Sequence, residues 1–150
     1  MKFYKKILIG LILITLCSGQ FALPSFQAVA SGDNVGPRIT ITATDGSSAV
    51  TSGSTTNDNT LALTFTCNET TTNFVVGDIG LIGGNISSFS GSDRVYTATF
   101  TPSSNRLTKF YIPTGAFTDG MSNNNYASEI FEWTYDCLLY TSDAADELRS

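Results

Sequence analysis

Oxygen ligands are the chemistry this chain offers most freely. Asp33, Asp119, Asn123 and Asp136 stand near the ends of its globular stretch, with Asn34, Asn124 and Asn125 beside them. Carboxylate and amide oxygens are what a hard cation such as Ca2+ takes, so these are its candidate ligands. Their spacing matches no calcium loop, the EF-hand's included, and Asp and Asn equally serve turns and strand ends. Nucleophilic and acid–base chemistry is less well supplied. The chain has no His, and no P-loop, nucleophile elbow or Cys-x-x-Cys is present. The Ser-rich "SSFSGSD" reads as turn chemistry. A carboxylate pair such as Asp119 with Asp136 could meet in space, but no spacing selects it. No catalytic residue is expected, and no cofactor besides Ca2+. Two acceptor sequons, at Asn68 and Asn85, would carry N-glycans in a eukaryotic secretory pathway.

The elements that must position these residues are strands. In "RITITATD", Ile39, Ile41 and Ala43 share one face, with Thr40, Thr42 and Thr44 on the other. "LALTFTC" sets Leu61, Leu63, Phe65 and Cys67 against Thr64 and Thr66, and "VYTATFT" sets Tyr96, Ala98 and Phe100 against four alternating residues. "IFEWTYD" aligns Phe131, Trp133 and Tyr135. Period-2 alternation with Thr on the wet face predicts half-buried antiparallel strands. Weaker strands are expected over 73–76, 79–82 and 107–112. Turn clusters separate them: "DGSSAVTSGSTTNDN", "GGNISSFSGSD", "TPSSNR" and "TDGMSNNN". About seven short strands in about a hundred residues predict an all-β, two-sheet sandwich. Trp133 and Tyr135, in phase with Phe131, are expected in the core rather than in a sugar-stacking platform.

Composition narrows the partners. Charged residues make up 14% of the 150, and the formal net charge is −5. Across residues 31–136, four basic groups stand against ten acidic ones, a net −6. Such a surface disfavours nucleic acid and anionic lipid. The first residues read as a signal peptide: Lys2, Lys5 and Lys6, then an apolar run from Ile7 to Leu16, then a small-residue site at Ala28-Val29-Ala30. Cleavage is expected after Ala30, or earlier after Gly19. The run is too short to span a bilayer comfortably. The expected organisation is residues 1–30 signal peptide, 31–35 linker, 36–136 sandwich and 137–150 tail, with secretion or cell-surface display.

In order along the chain stand Pro37, Ile39 and Ile41; Leu61, Leu63 and Phe65; "FVVGDI" with Phe74, Asp78 and Ile79; and "SFSGS" with Phe89 and Gly91. "YTATFTP", "GAFTD" with Asn123 downstream, and "WTYD" complete the series. This ordered set resembles the bacterial Ig-like domains found, often in tandem, in large surface and adhesin-like proteins, and it covers about residues 36–136. The resemblance implies an Ig-like sandwich acting as structural spacer or adhesive module. Its partners would be neighbouring repeats or a surface protein or carbohydrate, and Ca2+ could stiffen the joints between repeats. The alternative is an accessory domain of an extracellular carbohydrate-active enzyme whose catalytic part lies elsewhere. Two departures stand out: Cys67 replaces a small polar residue, and the turn from Asp119 to Asn123 reads Asp-Gly-Met-Ser-Asn.

The tail differs in kind. "CLLYTSDAADE", from Cys137 to Glu147, resembles a translated sequencing adapter, and it begins where the family pattern stops. It is expected to be non-native, with the intact protein continuing past Asp136. A Cys67–Cys137 bridge is then withdrawn, and Cys67 is a single buried thiol acting as a small hydrophobe.

Overall fold

A computed structural model of the protein describes residues 32–138. The signal-peptide reading and the tail beyond Leu138 lie outside the described residues. Among the described residues eight strands form two sheets: β1 (Ile39–Thr44), β2 (Ala49–Val50), β3 (Ser54–Thr56), β4 (Leu61–Thr71), β5 (Gly80–Ile82), β6 (Gly84–Pro102), β7 (Arg106–Tyr111) and β8 (Phe131–Tyr135). The first sheet has the order β2-β1-β4-β6, the second β3-β8-β7-β5. Every pairing between these strands is antiparallel except β3 with β8.

The strand β6 is 19 residues long, and a straight strand of that length would run roughly 60 Å. It folds back instead. The Ser103 amide donates to the Gly83 carbonyl at 3.0 Å, and the Ser90 and Thr97 hydroxyls lie 3.2 Å apart. The strand therefore reverses around Gly91 and Asp93, whose φ angles are 138° and 57°. "GGNISSFSGSD", expected as a turn cluster, supplies the outer arm of this hairpin and only its tip turns. Ile86 and Phe89 explain the difference, since both pack against the core. Residues 73–76, expected as a weak strand, form a loop entering a 3-10 turn at Val76–Asp78. The Asp78 carboxylate accepts the Val75 amide at 2.8 Å, which curls the segment.

The in-phase apolar sets do face inward. Leu61, Leu63, Phe65, Cys67, Tyr96, Ala98, Phe100, Phe131 and Trp133 are all buried. Phe100, from the first sheet, meets Phe110 at 4.5 Å and Trp133 at 5.9 Å, both from the second. Toward one end Phe74 touches Phe65, Phe89, Tyr96 and Phe117. Polar groups drawn into this core are paired: Trp133 Nε1 donates to Thr56 Oγ1 at 2.9 Å, and Thr108 Oγ1 to the Trp133 carbonyl at 2.8 Å. On the outer face of the first sheet, Thr42, Thr64 and Thr97 stand side by side in register.

Phe100→Ala should lower the unfolding free energy by about 3–5 kcal/mol, because it opens a cavity between the sheets. Thr97→Ala, on the wet face, should change it by less than about 0.5 kcal/mol. Urea denaturation of both variants measures the contrast, and equal losses would place the core elsewhere.

Candidate functional site

The strongest concentration of chemistry lies at one end of the sandwich. Three segments distant in sequence meet there: the entry segment with Asp33, the last third of β4 with Glu69, and the loop after β7 with Asp119. One carboxylate oxygen from each lies within 4.8 Å of the others. A shallow cavity of about 290 Å3, bordered also by Thr72 and Met121, opens over them.

Each position has a local cause. Asp33 Oδ1 accepts the Val35 amide at 3.0 Å, and Asn123 Nδ2 donates to the Asp33 carbonyl at 2.9 Å. The first turns the entry segment on itself, and the second ties it to the loop. Within the loop, Asp119 Oδ1 accepts the Met121 and Asn123 amides at 2.8 and 2.9 Å, and Oδ2 accepts Asn123 Nδ2 at 2.8 Å. The altered turn is intact, because Ser122 takes the left-handed backbone with φ 68°. Nothing lies within 4 Å of a Cβ built on Gly120, so the turn does not demand glycine there. Asn125 is buried and spends its amide on Phe117, Pro113 and Tyr126, which makes it the organiser of the loop rather than a ligand.

The sequence-derived candidates separate accordingly. Asp33, Asp119 and Asn123 come together; Asp136 does not. The last third of β4 and the loop following Tyr111 lie at one end, whereas Asp136 follows β8 beside Thr56 and Asn105, at the start of β7. A catalytic pairing of Asp119 with Asp136 is thereby excluded. Asn68 is exposed toward the end of β4, and its Oδ1 accepts the Arg38 amide at 2.6 Å. Asn85 is exposed at the start of β6. Both Cys67 and Cys137 are free thiols, one buried and one exposed. Burial pushes the Cys67 pKa up, away from the reactive thiolate.

Sequence reading missed Glu69, which stood only as the middle of a sequon. Alternation in β4 places it on the core-facing side, one step beyond Cys67. At the end of the sandwich that face opens to solvent, so the carboxylate emerges beside Asp33 and Asp119. Calcium takes roughly six to eight oxygens, and the cluster offers one from each of three carboxylates, leaving the rest to carbonyls or water.

The electrostatics of the three groups differ. Burial raises the Glu69 pKa, and the charges of Asp33 and Asp119 raise it further. Burial also acts upward on Asp119, but the hydrogen bonds from Asn123, Met121 and Ser122 outweigh it and hold the pKa below the usual carboxylate range. A carboxyl with a raised folded pKa binds its proton earlier in the folded state, so Glu69 adds stability as pH falls through that value. Asp119 contributes stability that is lost only at lower pH, as its own depressed value is passed. Melting temperature should therefore rise on mild acidification and then fall. Glu69→Gln should melt higher than wild type at neutral pH and remove the rise; thermal melts across pH read both. If added Ca2+ raises the wild-type melting temperature and not that of Glu69→Gln, the cluster holds the ion. No shift in either leaves burial and charge repulsion as the whole account.

Searches of the curated proteins and of the solved structures returned no significant match. The family model described as "Bacterial Ig-like domain" matches residues 33–135. That span begins at the acidic cluster and ends with β8, so it takes in both sheets and the loop that carries Asp119. With its two-sheet architecture and this match over most of its length, the chain belongs to the bacterial Ig-like domain family.

Proposed function

We propose that this domain is a spacer and adhesion module at the outer surface of a cell, near the N-terminal end of a longer, multi-repeat protein. The observation that carries the reading is the placement of its two ends. The backbone enters at the acidic cluster, beside the end of β4 and the loop after β7. It leaves at Asp136, whose amide donates to the Thr56 carbonyl at 2.9 Å beside the start of β7. Entry and exit therefore lie at opposite poles, which is the geometry needed to string copies end to end.

Other features support it. Domains of this family are generally non-catalytic and typically extracellular or surface-exposed. Among the described residues no helix is long and apolar enough to cross a membrane. The basic and apolar pattern of the first thirty residues fits export. The inward-packed aromatics suit a unit that transmits load without deforming. The neighbouring repeat is the partner this geometry serves most directly, with Asp33 and Asp119 facing it at one joint.

Two copies joined from Asp136 to Asp33 should scatter X-rays as an elongated particle with close to twice the maximum dimension of one. A compact dimer-like particle would contradict the spacer reading. Sequencing the genomic locus across codon 136 should show different codons from Cys137 onward. Recovery of the same tail there would make the chain's own end native and remove the support for a longer protein.

A further inference from the structure

Where β4 and β6 shift register, a pocket opens beside the first sheet. Thr66 faces Val95 and Thr71 faces Asp93, so β4 advances five residues while β6 advances two. The surplus has no partner on β6 and bulges out before Thr71 pairs with Asp93. On the far side the hairpin is held out by left-handed backbone at Ser88, Gly91 and Asp93, with φ of 53°, 138° and 57°. Gly91 has no substitute, since a Cβ there would collide with the Val95 carbonyl and the Tyr96 backbone. Positive φ at a serine is uncommon, and such conformations persist where the surrounding structure enforces them.

The cavity holds about 400 Å3, within the range of small-molecule sites. Its floor is aromatic. Phe89 stacks on Tyr96 with centroids 5.8 Å apart and planes 16° from parallel, and Phe74 meets both rings edge-on. Tyr96 is held in place by its hydroxyl, which donates to the Thr71 carbonyl at 3.0 Å. Phe89 is only half-buried and presents ring surface to the opening. The rim is oxygen, from the exposed Thr72, Ser92 and Asp93. An apolar floor below hydroxyl and carboxylate oxygens complements a pyranose ring, whose C–H face is apolar and whose edge is a row of hydroxyl donors. The Asp93 carboxylate accepts such donors strongly and repels anionic sugars.

We propose that this pocket binds a neutral sugar residue, its C–H face on Phe89 and its hydroxyls on Asp93. The site goes beyond the spacer reading and does not rest on it, because a spacer requires no ligand there. A single ring makes few contacts, so a free monosaccharide binds weakly; repeated copies of the domain would gain avidity on a glycan surface.

Amide NMR of the full chain titrated with glucose, galactose, mannose and N-acetylglucosamine tests this directly. At least one sugar should give saturable shifts at Thr71, Thr72 and residues 89–93. Asp93→Asn keeps a residue that tolerates left-handed backbone and should weaken binding about tenfold. Phe89→Leu keeps the apolar filling, removes the ring face and should abolish binding. Spectra unchanged elsewhere would show that both variants are folded. The proposal is overturned if no sugar shifts these amides saturably, or if both folded variants bind as wild type does. Neither result alters the shape of the tandem, so the spacer reading stands or falls separately.

Discussion

Phe100 against Phe110 and Trp133 is the contact on which the remainder depends. Each sheet alone has one apolar face and would expose it to water. Burying a large aromatic contributes on the order of 2–3 kcal/mol, and these three are fully buried together. The contact also sets geometry, because it holds two sheets with different strand orders in one alignment. Once the sheets are aligned, the last third of β4 and the loop after β7 must share a pole. Asp33, Glu69 and Asp119 are thus neighbours as a consequence of core packing, and Asp136 is excluded from them by the same cause.

The polar surface divides in a way that fits a module in a string. Rows of threonine cover the outer face of the first sheet, where Thr40 aligns with Thr66 and Thr42 with Thr64 and Thr97. The clustered carboxylates sit at the pole where the backbone enters. The ion pair of Lys109 with Glu132, at 2.6 Å, lies on the second sheet with both side chains substantially exposed, so its contribution is small. Stability is carried by the core and by buried side chains such as Asn125 that organise loops. In the proposed string, contacts to neighbours would fall to the ends and ligand contacts to the hairpin of β6.

The sandwich was legible because period-2 alternation is strict wherever one face is buried. Ile39, Leu61, Phe65, Phe100 and Trp133 all lie on the predicted side. Legibility failed where tertiary packing overrode local composition. "NISSFSG" carries Gly, Ser and Asn in turn-like density, yet Ile86 and Phe89 draw it into a strand arm. Phe74 has no alternating neighbours to announce it, yet it is the aromatic hub of one end. The acidic cluster was half visible: Asp33, Asp119 and Asn123 could be named, but their company with Glu69, and the distance of Asp136, depend on which loops share a pole. The pocket at the β6 hairpin had no sequence signal, since it arises from a register shift and three left-handed residues.

The opposite placement of the domain's ends is the central claim, and one distance tests it. Spin labels at residues 33 and 136, measured by pulsed electron paramagnetic resonance, should give one narrow distribution centred on roughly 30 Å, the run of a ten-residue strand. A distance less than about half of that, or a broad distribution spanning both, would contradict the account, since entry and exit would then share a pole or lack a defined relation.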